Sequence, residues 1–184
     1  AASDVYKRQT MQNLVDYNDV VADVISETAR QVDAAMAAGI DRERIIVDPG
    51  IGFSKTAEHN WQLIDAVDTF QDGFTDLRVL WGVSRKRFLG ELLARNGEDR
   101  PARDRDASTM ALSTYFALHR AWCVRTHEVR ANRDAVETVA RFLLDIWPPI
   151  DAVSYPIVDK PDGGKQVIFR HGPVSYTHLT LPTK

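Results

Sequence analysis

The sequence predicts an α/β fold built on parallel strands, and three observations carry that prediction. Short β-branched apolar runs (Arg44–Asp48, Leu77–Val83 and Trp122–Thr126) alternate with segments of helical periodicity. The intervening helical segments are long enough to cross back over a sheet, as parallel neighbours require. Each run also gives way at its C-terminal end to a polar or glycine-containing cluster.

The elements follow in order. Leu14–Ala38 carries Val21, Val24, Ile25, Thr28, Val32 and Ala35 at spacings of three and four, an amphipathic helix that Gly39 ends as its C-cap. Ile45, Ile46 and Val47 form a buried strand stopped by Pro49 and Gly50. A second helix is expected over about Thr56–Phe70, with Thr56 as N-cap. Leu77–Val83 is the next strand, followed by a short helix over Phe88–Ala94. The charged stretch Arg95–Arg105 reads as a solvated loop. Ala107–Arg120 is helical, Trp122–Thr126 is a strand, and Asn132–Trp147 is a helix capped by Asn132 and stopped by Pro148 and Pro149. Three strands are too few to close a barrel, and 184 residues fall short of the roughly 250 of a complete (β/α)8 barrel. A slice of such a barrel and a small open sheet both remain consistent with the pattern.

Composition narrows the function classes. With 23 basic and 26 acidic residues, no field of one sign argues for nucleic acid or an anionic membrane as partner. Cys123 is the single cysteine, which excludes an internal disulfide framework and a cysteine-based zinc cage and fits a reducing compartment. No apolar run reaches the roughly 18–20 residues of a membrane helix, and Ala1–Thr10 lacks the pattern of a secretory signal, so the expectation is cytoplasmic. Ala1–Gln9 and Val174–Lys184 read as a non-native leader and tail, and residues 148–173 as an irregular extension.

Three polar clusters share one address, the C-terminal end of an expected strand, where ligands bind in parallel α/β folds. The first spans Asp48–Lys55. A carboxylate emerging directly from an apolar strand needs a partner, while Gly50 and Gly52 allow a tight turn and room for a flat ligand. A purely structural aspartate bonded to turn amides is the competing interpretation. The Walker phosphate-loop spacing is absent. The second is Ser84, Arg85, Lys86 and Arg87, three cations suited to an anion or to a solvated surface. The third is Arg125, Thr126 and His127, where strand alternation puts Arg125 and His127 on one side. An arginine can lie against a heterocycle and a histidine can donate to phosphate, or Arg125 can form a salt bridge with Glu128 or Asp106. The five histidines show neither an HExxH pattern nor paired spacing, so no metal ligands are expected. Together the clusters describe a site for a planar polar ligand with an anionic tail.

These clusters, with Glu58, His59 and Asn60 between the first and second, resemble the pterin-binding motifs of dihydropteroate synthases. Thr10, Met11 and Gln12 resemble the end of that family's stretch after its fifth strand, and Ser84–Gly90 looks like its actinobacterial branch. The resemblance covers about residues 10–147. It implies a (β/α)8 barrel of which strands six to eight, with flanking helices, are present. It also implies an enzyme joining p-aminobenzoate to 6-hydroxymethyl-7,8-dihydropterin diphosphate, through a step of strong SN1 character, to give dihydropteroate and pyrophosphate in folate synthesis. On this chain, Asp48 would accept hydrogen bonds from the pterin, Lys86 would donate to its oxygen and ring nitrogen, and Arg125 would lie against the ring. Arg125 and His127 would hold the diphosphate, and Phe53 would line the p-aminobenzoate pocket where sulfonamides compete. Gly52 and Arg87 complete the expected substrate-binding set, with Lys86, Arg125 and His127 catalytic. Mg2+ is the implied cofactor, its ligand belonging to the family's first half, and a homodimer is implied for the full-length protein. Residues 1–184 alone are accordingly expected neither to fold cleanly nor to turn over.

The sequence departs from the family at Ser54, Trp81, Arg120, Cys123, Thr126 and Glu128. Arg120 stands where the family ends a helix with glycine, so that helix end is expected to differ. A non-catalytic pterin-binding paralogue and a methyltetrahydrofolate-binding barrel module are the alternative interpretations.

Overall fold

The computed structural model describes residues 17–142 and two short strands, 157–159 and 165–167. The expected leader, the tail and residues 143–147 of the last predicted helix lie outside the described residues.

Helix α1 (Val20–Ala37) starts where Asp19 accepts hydrogen bonds from the Val21 and Ala22 amides at 3.0 and 3.1 Å. Its apolar stripe buries Val20, Val24 and Val32, with Val21 and Ile25 packed alongside. Gly39, at a φ of 89°, closes it as predicted. The Ile40 amide returns to the Ala35 carbonyl and the Gly39 amide to Met36.

Strands β1 (Ile46–Val47), β2 (Arg78–Trp81) and β3 (Cys123–Val124) form a parallel three-stranded sheet with β2 in the centre. The α/β class with parallel strands is therefore borne out. Helix α2 (Ala57–Asp65) begins at the predicted cap, with Thr56 Oγ1 accepting from the His59 amide at 3.1 Å. The expected single helix is broken at Ala66, and α3 (Val67–Asp72) follows. No glycine or proline marks that break. The break accompanies full burial of Leu63 on one segment and of Val67 and Phe70 on the next.

Helix α4 (Arg87–Leu92) follows β2, and α5 (Asp106–Leu118) and α6 (Val129–Phe142) flank β3. Trp81 of β2 is fully buried, stacked on Phe116 of α5 with centroids 4.7 Å apart and edge-on to Phe70 at 5.6 Å. This aromatic group fastens the sheet to its helices, each such side chain contributing roughly 1.5–3 kcal/mol on burial.

Two expectations about helix ends are corrected. Asn132 does not cap α6, which starts three residues earlier. The Glu128 carboxylate accepts from the Ala131 amide at 2.7 Å in the capping role. Asn132 is instead buried inside the helix, accepting from Ser113 Oγ at 2.7 Å and donating to the Glu128 carbonyl at 2.6 Å. A buried amide with partners on both sides is worth more here than an exposed cap. Nor does arginine displace the end of α5. Arg120 takes a φ of 57°, and the Ala121 amide reaches back to the Phe116 carbonyl at 2.9 Å, the geometry a glycine would have given.

The stretch Arg95–Arg105 is not wholly solvated, because it ends in a 3-10 turn (Ala102–Arg105) whose Arg105 guanidinium is held among backbone carbonyls. Within residues 148–173 the described residues form an antiparallel pair, β4 (Ile157–Asp159) and β5 (Lys165–Val167). No helix among the described residues is long and apolar enough to cross a membrane.

Candidate functional site

Asp48, Lys86 and Arg125 come together at the C-terminal ends of β1, β2 and β3. Asp48 Oδ1 accepts from the Gly50 amide at 2.8 Å, so the turn does use this carboxylate structurally. Its other oxygen faces the Arg125 guanidinium at 3.4 Å, with both side chains partly exposed. Arg125 thus pairs with Asp48 rather than with Asp106 or Glu128. Asp106 is taken by Arg85 through two bonds of 2.7 Å. The guanidinium packs closely against Gly82, where a Cβ would fall 2.7 Å from its Nη2.

Lys86 turns inward to donate to the Ile51 carbonyl, and its ammonium sits 4.1 Å from the centre of the Phe53 ring. A Cβ on Gly52 would lie 2.5 Å from Lys86 Cδ, so the absence of a side chain at Gly52 is what admits the lysine. Burial lowers Lys86 to about 8, against the pull of Asp48 and with help from Arg125 and Lys55. Lys55 is also lowered, mainly by burial, while Glu27 and Asp48 oppose the shift. It donates to the carbonyls of Gly50 and Phe53 at 3.3 and 3.2 Å. Three cations, Lys55, Lys86 and Arg125, therefore surround one carboxylate, and the surplus positive charge suits an anion.

The loop is pinned from below by Asn60. This fold-buried amide accepts from the Gly52 amide at 2.6 Å and donates to the Thr56 carbonyl at 2.6 Å. Ser54 adopts a φ of 49° in this loop. His127 is anchored by Ser84, whose Oγ accepts from the His127 amide at 3.1 Å and lies 2.9 Å from Nδ1. Arg87 stands apart from the Asp48 group. Its side chain is 70% exposed and paired with Glu91 at 2.8 Å. It lines a cleft of about 350 Å3 with Gly52, Ser54, Lys55, Asn60 and Phe88.

Sequence reasoning singled out Asp48, Gly52, Phe53, Lys86, Arg87, Arg125 and His127, but it assigned no role to Lys55, Asn60 or Ser84. Lys55 ends the first cluster and Asn60 lies in its companion motif, so both are within reach of the sequence. Ser84 opens the second cluster and its motif, so it is within reach of the sequence as well. Among the described residues no three His, Cys, Asp or Glu side chains converge to hold a metal ion.

The model for the pterin binding enzymes matches residues 4–127. The chain belongs to that family. The chain is 46% identical over 129 residues to the dihydropteroate synthase of Mycobacterium leprae, covering 70% of the chain and 45% of the relative. Its fold matches a dihydropteroate synthase from Xanthomonas albilineans in complex with 7,8-dihydropteroate, at a TM-score of 0.64 and 34% identity. That match covers 70% of this chain and 47% of the other. A second structure of the Xanthomonas albilineans enzyme, with 4-aminobenzoic acid, matches at a TM-score of 0.65 and 33% identity, covering 72% and 46% of the two chains. The chain thus spans a little under half the length of these relatives.

Proposed function

We propose that the full-length protein is a dihydropteroate synthase and that residues 10–147 are the C-terminal portion of its (β/α)8 barrel. The convergence of Asp48 with Lys86 and Arg125 on three successive strand ends carries this reading. The substrates are those the resemblance implies, 6-hydroxymethyl-7,8-dihydropterin diphosphate and p-aminobenzoate. Relatives of similar sequence and fold have been solved with 7,8-dihydropteroate and with 4-aminobenzoic acid bound. The proposal extends to a homodimer in the cytoplasm.

Asp48 presents an oxygen that only a long contact to Arg125 engages, so it can accept from the pterin's amino and ring N–H groups in parallel. Lys86 donates to the pterin's carbonyl oxygen and ring nitrogen, exchanging the Ile51 carbonyl for substrate. Arg125, packed against Gly82, provides a planar cation for the ring face. The bond between the pterin methylene and the diphosphate oxygen breaks, and its electron pair leaves with the diphosphate. Arg125 and His127 meet that growing charge, the electrostatic contribution on which such a step depends. The amine of p-aminobenzoate then forms the C–N bond and releases its proton to solvent. Phe53 and the cleft beside Arg87 offer the second substrate an apolar wall and a cation. The described residues supply no cluster fit for magnesium, and no step here depends on it.

The test is turnover by the full-length protein. Both dihydropteroate and pyrophosphate should form, with Lys86→Ala and Arg125→Ala each lowering kcat/KM by about a hundredfold or more. Pterin binding without product would replace the proposal with a non-catalytic paralogue. Loss of neither binding nor turnover in both variants would overturn the site.

A further inference from the structure

The turn that aims Lys86 into the Asp48 loop is held from outside the site. Arg85, its predecessor, adopts a φ of 59°, a left-handed conformation that a non-glycine residue keeps only when its surroundings enforce it. Arg105 provides much of that enforcement. Its Nη1 donates to the carbonyls of Arg85 at 3.0 Å and Lys86 at 3.2 Å, and its Nε donates to the Arg100 carbonyl at 2.6 Å. The guanidinium rests on the Cα of Gly90, where any Cβ would overlap it. Thr109 completes the brace, its hydroxyl accepting from the Arg85 amide at 3.2 Å and donating to the Arg105 carbonyl at 3.1 Å.

A guanidinium directed at three backbone carbonyls makes bonds that a lysine could only partly replace. Two of those carbonyls belong to the residues whose backbone sets the direction of the Lys86 side chain. We propose that Arg105 is a positioning residue for Lys86, fixing the carbonyls of Arg85 and Lys86 so that the ammonium is delivered over Phe53 to the Asp48 loop. Arg105 touches no substrate and acts through the turn alone. The relevance to catalysis rests on the proposed role of Lys86, whereas the bracing itself does not.

The experiment reads Lys86 directly in the full-length protein, through the pH dependence of its labelling by an amine-selective reagent, quantified by mass spectrometry. In the unaltered protein the midpoint is expected near 8, where burial places this amine. Arg105→Ala and Gly90→Ala, which evicts the guanidinium from its seat, should each raise the midpoint by more than about one unit towards the ordinary lysine value. Arg105→Lys should fall between, and it reports alone if the other two variants do not fold. A lowered thermal midpoint with an unchanged labelling midpoint in every folded variant would make Arg105 merely structural and overturn the proposal. Pterin affinity of Lys86→Ala is the separate control. If it is unaltered, the reading of the site fails, while the labelling result still decides the bracing.

Discussion

Replacing Gly82 by alanine puts a methyl group where the Arg125 guanidinium now lies. The new Cβ would stand 2.7 Å from Nη2, 3.2 Å from Nε and 3.3 Å from Cζ. All three atoms belong to the far end of a flexible side chain, so the clash is relieved by moving the arginine rather than the sheet. Stability should change little, by under about 1 kcal/mol, as for a substitution that creates neither cavity nor buried orphan. Affinity should change more. The displaced guanidinium gives up its 3.4 Å contact with Asp48 and the position from which it would meet a heterocycle. Such a cation over an aromatic face is worth roughly 0.5–2 kcal/mol, which corresponds to about a 2- to 30-fold weaker pterin affinity. Titration of the full-length protein with a pterin, alongside a thermal melt, separates the two effects. Unchanged affinity at unchanged stability would show that the placement of Arg125 over Gly82 has no part in ligand binding.

Arg120→Gly should stabilise the protein by about 0.5–1 kcal/mol, seen as a raised thermal midpoint, because glycine takes the left-handed position that Arg120 now occupies at a φ of 57°. The buried amine of Lys86 makes stability depend on pH. Its folded value of about 8 lies below its ordinary 10.5, so below pH 8 both states hold the proton and the burial penalty is fully in force. Between about 8 and 10.5 only the unfolded chain keeps that proton, and stability should climb with pH. The denaturation midpoint of the protein minus that of Lys86→Met, followed from pH 7 to 10, checks this. Pterin affinity should fall across the same window, as the donor loses its charge. Finally, residues 1–184 alone should melt without a cooperative transition and yield no dihydropteroate. A sharp melt accompanied by product would refute the view that the rest of the barrel is needed.

Much of this architecture can be read from the residues because it depends on local physics. Thr56 and Gly39 mark helix ends by chemistry that acts within four residues, and both hold. The strand-end placement of Asp48, Lys86 and Arg125 follows from apolar runs that stop at polar ones. What escaped depends on partners far along the chain. Asn132 has the composition of a cap, yet Ser113, on another helix, draws it into the interior. The break at Ala66 has no breaker residue and accompanies the packing of Phe70 against Trp81, a partner beyond the helix. Arg105 sits in a stretch whose charge density suggests solvent, and only the folded chain brings it to the carbonyls of Arg85 and Lys86.

The sheet register has a consequence for how a ligand must lie. β1 pairs with Arg78 and Val79 of the central strand, whereas β3 pairs with Leu80 and Trp81. The two outer strands are thus offset along β2 by two residues, roughly 7 Å at the rise of a strand. Such a stagger is what a sheet needs in order to curl towards closure. The loops that carry Asp48 and Arg125 therefore leave the sheet like successive treads of a stair. A flat molecule gripped by both would lie inclined to the strand direction, one edge seated deep and the other lifted towards the opening.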